Sequence, residues 1–161
     1  NGGFKIAMRT LDIFRASVAG AALGMGRRAL QDALAHVKSR QMFGQHLADF
    51  QITQSRLGDM AALLESAALL TYRAAWLRDT AGSDGVASTA YTQAAAMAKL
   101  TATENASKVI DMSLQMHGGL GVMVGNKLES LYRDIRSLRI YEGASEVQQL
   151  IIGKSVLKGA P

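Results

Sequence analysis

The chain has 161 residues, enough for one domain with a single sizeable core and too few for two ordinary ones. It contains no cysteine, which excludes disulfides, thiolate nucleophiles and cysteine-type zinc sites, and its formal net charge of +5 favours anionic partners without choosing among them. The one proline is Pro161, and the bulk of the chain is rich in Ala, Leu, Met, Gln, Arg and Lys, so an all-α fold is the expectation.

The opening residues, Asn1-Gly2-Gly3-Phe4, carry no initiating Met, basic segment or apolar run of a signal peptide, and read as a cut inside a longer protein. From about Ala7 to Arg40 the apolar residues Leu11, Phe14, Val18, Ala21, Met25 and Ala29 recur at steps of three and four, which predicts one long helix with these positions on its buried face. Lys38 and Arg40 suit the carbonyl end of its dipole, and Gly44 follows. Apolar stretches such as Val18–Gly26 are too short to cross a bilayer, so no membrane span is expected.

A second helix is predicted from about Asp49 to Thr80 through Leu57, Met60, Leu64 and Ala67, ending in the turn composition of Ala81-Gly82-Ser83-Asp84-Gly85. A third runs from Ser88 to His117 with Ala95, Ala98, Ala102, Ala106, Val109 and Met116 in register. Gly118-Gly119-Leu120-Gly121 stops it, because glycine takes the left-handed position after a helix without steric cost. A shorter helix follows over Lys127 to Ser137, with Leu128, Leu131, Ile135 and Leu138 on one face. The last should begin near Ser145, whose hydroxyl would cap the backbone while Gln148 reaches back in a capping box, and run to about Leu157. About five long helices with short connections predict an up-and-down bundle forming one unit over 1–161. Apolar residues on more than one helix face imply burial against other subunits.

The segment Arg133-Asp134-Ile135-Arg136-Ser137-Leu138-Arg139-Ile140-Tyr141-Glu142-Gly143-Ala144-Ser145-Glu146-Val147-Gln148 resembles the signature near the C-terminus of acyl-CoA dehydrogenases. In matching order stand Gly3-Phe4-Lys5-Ile6-Ala7-Met8, Leu11-Asp12-Ile13-Phe14-Arg15, Arg40-Gln41-Met42-Phe43-Gly44, Phe50-Gln51, Met97-Ala98-Lys99 and Gln115-Met116-His117-Gly118-Gly119. The resemblance implies the C-terminal helical domain of an FAD enzyme whose subunit also has an N-terminal helical and a middle β-domain. It implies an acyl-CoA substrate, a homo-oligomer that is a tetramer, and electron-transfer flavoprotein as acceptor, in a bacterial cytoplasm or a mitochondrial matrix.

Within that resemblance Glu142, of Tyr-Glu-Gly, is the catalytic base that removes a proton beside the thioester carbonyl. A carboxylate in water is a weak base for such a carbon, and excluding water strengthens it. Read from the residues alone, Glu142 is a solvated loop acid near the positive end of a helix. Phe14 stands where a subset of the family carries its base, and phenylalanine accepts no proton. Nitroalkane oxidases place Asp where Glu142 stands. Leu11, Asp12, Arg15, Tyr141 and Gly143 match substrate positions, Asp12 and Arg15 along the coenzyme A channel; their plain alternative is a surface ion pair one turn apart.

Arg40 and Phe43 match the pair sent to the flavin pyrophosphate and adenine of a neighbouring subunit, with Gln51 at the adenine end. A planar guanidinium suits phosphate and a ring suits stacking. Gln115, Gly118 and Gly119 resemble a second pyrophosphate contact, and Ser145 and Glu146 the one to the AMP half. The chain departs from the family at Ala144, where Thr is common, and at Leu120 and Val122, where Asn and an aromatic residue are common. Two further readings stay open: an acyl-CoA oxidase or related flavin monooxygenase, and, for the isolated chain, a helical oligomerisation module without catalysis.

His36, His46 and His117 have no metal-ligand spacing, so no metal site is expected. Met25, Met60, Met97, Met112 and Met116 read as core. Arg133, Arg136 and Arg139 make a basic stripe of the ion-paired or solvated kind, and no nucleic-acid partner is expected.

Overall fold

The computed structural model describes residues 2–80 and 89–159. The readings that fall on Asn1, the turn over 81–85, Ser88 and Pro161 lie outside the described residues. Among the described residues there are five α-helices: α1 (Gly3–Ser39), α2 (Gln51–Thr80), α3 (Thr89–His117), α4 (Lys127–Leu138) and α5 (Ser145–Leu157). Between α1 and α2 a small antiparallel hairpin pairs β1 (Gln41–Met42) with β2 (Gln45–His46), followed by a 3-10 turn over Leu47–Asp49. A second 3-10 turn, Gly118–Val122, leads from α3 towards α4.

The axis of the bundle is α3, which packs against α1, α2, α4 and α5. Its stripe of Ala94, Ala95, Ala98, Ala102 and Ala106 is buried and meets Ala19, Ala22, Ala29 and Ala33 of α1. Such small side chains let helix backbones approach closely. At Gly26 the fit leaves no room: a Cβ there would lie 2.7 Å from Leu64 Cδ2 and 3.3 Å from Ala106 Cβ. Met60 is wholly buried, and Met25, Met112 and Met116 pack against the same core, as expected of them.

This packing corrects the face expected for α1. Phe14 is 48% exposed and Ala21 lies on the surface, while the buried side runs through Arg15, Val18, Ala22, Gly26, Ala29, Ala33 and Val37. Because α1 is apolar on more than one side, periodicity alone selects two stripes; the one of small residues wins because it allows the closest approach to α3.

The hairpin was not legible beforehand. Phe43 and Gly44, at φ +52° and +81°, form a two-residue turn of the left-handed kind that suits the twist of paired strands. Gly118 takes φ +57° directly after His117, which is the helix stop expected there. Asn126 caps α4 by accepting the Leu128 N–H at 2.9 Å. The cap expected at α5 is absent. Ala144 is its N-cap residue, Ser145 is already helical, and neither Ser145 nor Gln148 makes a capping box. Among the described residues no helix is long and apolar enough to cross a membrane.

Candidate functional site

The loop joining α4 to α5 carries Glu142 and Gly143 in left-handed backbone conformations, φ +57° and +91°. For glutamate that conformation costs roughly 1–3 kcal/mol and persists where the surroundings over-determine it. Here they do. The Glu142 carbonyl accepts from Gln148 Nε2 at 3.1 Å and from Arg15 Nε at 3.4 Å. The Gly143 carbonyl accepts from Gln148 Nε2 and from Lys99 Nζ, each at 2.9 Å. Gln148 leaves its expected capping role because these buried carbonyls need donors more than the first turn of α5 does.

The Glu142 side chain is held differently. Its Oε2 is buried and has no hydrogen-bond partner among the described residues. Buried carboxylate oxygens are nearly always paired, and this one, like buried side-chain atoms of His46, Gln93, Gln148 and Ser155, is not. Tyr141 is exposed beside it, and Leu11 is half-buried on α1.

Asp12 and Arg15 do not form the surface pair offered as their plain alternative. Each is 6% exposed. Asp12 Oδ1 accepts from Arg15 Nη1 and Oδ2 accepts from Thr92 Oγ1 at 2.6 Å, while Tyr91 donates to the Asp12 carbonyl at 3.2 Å. Both carboxylate oxygens are thus engaged inside the chain, and Arg15 carries the brace from α1 to the loop. Burial pushes the Tyr91 hydroxyl up from its ordinary value, and Asp12 and Asp79 add to this while Arg78 opposes it.

Ser145 is committed as well. Its N–H donates to the Arg139 carbonyl at 3.2 Å and its hydroxyl to Glu104 Oε1 at 2.5 Å, the oxygen that also receives Arg139 Nε at 2.8 Å. Burial alone would raise the Glu104 carboxyl, but these two hydrogen bonds and the Arg139 charge outweigh it and hold it below the usual range. Glu146 is exposed one residue further on.

Lys99 is a residue at this loop that periodicity hides. It is fully buried at the centre of the Ala stripe of α3. Burial pushes its ammonium pKa down, with Arg15 and Arg139 acting the same way and the Glu104 and Glu142 carboxylates opposing. A lysine among Ala95, Ala98, Ala102 and Ala106 on a buried face was the available signal.

At the opposite end of α3 a cavity of about 390 Å³ is lined by His36, Arg40, Met42, Leu47, Gln115, Met116, His117, Gly118, Gly119 and Leu120. It brings together four of the predicted cofactor residues: Arg40, Gln115, Gly118 and Gly119. A Cβ added at Gly118 or Gly119 would meet nothing within 4 Å, so their backbone faces open space. Phe43 stands at the hairpin tip, 86% exposed, and Gln51 is exposed at the start of α2. Neither they nor Ser145 and Glu146 line this cavity.

His36 and His117 stack in the same cavity wall, ring centroids 4.1 Å apart and planes 24° from parallel. His117 Nδ1 donates to the Ser113 carbonyl at 2.8 Å. Burial, then the neighbouring His117 and Arg40 charges, depress the His36 pKa below 6.5, against a hydrogen bond to the Met116 backbone that raises it. A folded state that resists protonation loses stability to the unfolded chain as pH falls below the unfolded value. The expected result is a melting temperature of the full-length subunit that declines as pH drops below about 6.5, with a shallower decline in His36→Phe. Equal slopes for the two proteins would refute the assignment.

A cavity of about 630 Å³ lies between α3 and α4 and is lined by Glu104, Tyr132, Arg133, Arg136 and Arg139 among others. None of the residues predicted for substrate or cofactor faces it. Arg133 pairs with Glu129 and Arg139 with Glu104, the ion-paired behaviour expected of this stripe.

The family profile described as "Acyl-CoA dehydrogenase, C-terminal domain" matches residues 1–157. The short-chain specific acyl-CoA dehydrogenase of Bos taurus is 44% identical over 97% of this chain and 36% of its own length. The caffeyl-CoA reductase-Etf complex subunit CarC of Acetobacterium woodii is 41% identical over 98% of this chain and 40% of its own. The fold matches a solved acyl-CoA dehydrogenase complexed with FAD from Bacillus anthracis, at TM-score 0.91 and 30% identity, over 99% of this chain and 29% of that one. The chain therefore spans well under half the length of these relatives.

Proposed function

Because this chain belongs to the acyl-CoA dehydrogenase family, we propose that it is the C-terminal helical domain of an FAD-dependent enzyme that converts an acyl-CoA thioester to its trans-2-enoyl-CoA. The observation that carries this reading is the buried, unpartnered Oε2 of Glu142 on a loop braced from α1, α3 and α5.

In this reading Glu142 takes the proton from the carbon next to the thioester carbonyl. The acyl chain, by displacing water around Oε2, strengthens the carboxylate as a base at the moment it is needed. FAD, when bound, supplies the acceptor for the hydride leaving the β-carbon, since no side chain can hold one. Leu11, Tyr141 and Gly143 border the acyl group, and Asp12 and Arg15 serve the substrate side from beneath, through the loop.

The cavity at the end of α3 fits the cofactor's pyrophosphate. Arg40 offers a planar cation, Gln115 an amide, and Gly118 and Gly119 bare backbone N–H groups. Phe43, exposed on its hairpin, and Gln51 would meet the adenine end. Glu146 and the first turn of α5, anchored by Ser145 through Glu104, would meet an AMP half. The exposed apolar residues Leu69, Tyr72 and Trp76 of α2 suit a homotetramer in which cavity and loop serve different subunits. Electron-transfer flavoprotein is the proposed acceptor. A relative named as a caffeyl-CoA reductase subunit supports a second direction, in which Glu142 returns the proton to the α-carbon.

The test is anaerobic mixing of the full-length flavoprotein with a panel of acyl-CoA esters. Bleaching of the flavin band by a saturated short-chain ester is the expected result, with slow reoxidation in air. Rapid oxygen consumption would replace the dehydrogenase with the oxidase reading, and no bleaching by any ester would remove both.

A further inference from the structure

The left-handed turn at Glu142 and Gly143 points two consecutive carbonyls into the bundle, where no backbone N–H meets either of them. Gln148 alone gives each of them one hydrogen bond through Nε2. A neutral amide would therefore suffice to satisfy the pair. Yet a second donor has been buried at full desolvation cost: Lys99, 0% exposed, with its Nζ 2.9 Å from the Gly143 carbonyl. A buried cation at a position where a neutral group already meets the hydrogen-bonding need calls for a further reason.

The position of the bond supplies one. Gln148 lies on α5 only a few residues beyond the loop, whereas Lys99 ties the Gly143 carbonyl to α3, the axis of the bundle. Asp12 and Arg15 of α1 pair with each other, and Arg139 at the end of α4 pairs with Glu104 of α3.

Resting on the assignment of Glu142 as the base, we propose that Lys99 is its positioning residue: the ammonium pins the Gly143 carbonyl and so fixes the turn that carries the carboxylate. The hydrogen bond sets the direction in which the carboxylate leaves the backbone; a displacement near 1 Å at a reacting atom costs on the order of 100-fold in rate.

The experiment compares Lys99→Met, which removes donor and charge, with Lys99→Gln, which keeps an N–H donor. Both are made in the full-length flavoprotein, with Glu142→Gln as control. For Lys99→Met the expected result is a kcat about 100-fold lower, KM within about twofold and an intact flavin spectrum. Lys99→Gln, which keeps a donor, should recover kcat to within about tenfold of the parent. A Lys99→Met enzyme with full kcat overturns the proposal. Should that variant not fold, a Lys99→Gln enzyme whose kcat is unchanged while KM rises overturns it equally. The control separates the two layers: activity surviving in Glu142→Gln sinks the base assignment itself, whereas an inactive control beside a fully active Lys99→Met sinks only the role of Lys99.

Discussion

Glu142→Gln in the full-length subunit is expected to slow flavin reduction by an acyl-CoA about 10³–10⁴-fold or more while leaving folding and thioester binding intact. The substitution is close to isosteric, and neither Oε2 nor its replacement has a protein partner to lose. The carbonyl of residue 142 keeps its bonds to Gln148 and Arg15, so the turn stays where it is. What disappears is the carboxylate charge, and with it the capacity to accept a proton from carbon. Phe14, the position from which a related base would act, is apolar and 48% exposed and cannot take over, and both Asp12 oxygens are already engaged. Stopped-flow absorbance at the flavin band measures the rate, and a titration with a non-reacting thioester measures binding. Reduction within tenfold of the parent would refute the assignment.

The bundle was readable because its determinants are local and repetitive. Ala and Leu at steps of three and four define α2, α3 and α4 well, and Gly118 marks the end of α3 through a backbone angle that only glycine takes easily. The face of α1 was not readable, since Phe14 and Val18 share a helical period but only one of them meets α3. Nor was the hairpin: two residues per strand carry no alternation to detect, and its turn places Phe43, not glycine, at the first left-handed position.

At the site, residue identity was legible and partnership was not. Glu142, Arg40, Gln115, Gly118 and Gly119 stand out by motif, and the fold groups the last four around one cavity. Ser145 and Gln148 were read as a local cap because the sequence shows them three apart at a helix start. The fold gives them partners much farther along the chain or on the preceding loop: Ser145 bonds Glu104 on α3, and Gln148 turns back to the carbonyls of residues 142 and 143. Asp12 and Arg15 likewise look like a surface pair until α3 covers them with Tyr91 and Thr92. Sequence spacing reports what adjacent turns can reach, and every one of these contacts is decided by which helices become neighbours.

Gly143→Ala concentrates that dependence in one methyl group. At φ +91° a side chain is strained wherever it sits, and the added Cβ would lie 2.6 Å from Gln148 Nε2 and 3.3 Å from Val147 Cγ1. A flexible amide would normally step aside. This one is wholly buried and holds two carbonyls at once, so moving it gives up hydrogen bonds worth about 1 kcal/mol each as well as the roughly 1 kcal/mol or more of backbone strain. A loss of about 2–4 kcal/mol in stability is the expected sum, seen as a lower melting temperature of the full-length subunit. The activity should fall further than the stability requires, because the relaxed turn redirects the carboxylate of Glu142 even in molecules that remain folded. Measured at a temperature where parent and variant are both fully folded, kcat in Gly143→Ala should be at least about tenfold lower with KM little changed. A variant that melts early but turns over normally when folded would mean that the loop is a structural hinge and does not aim the base.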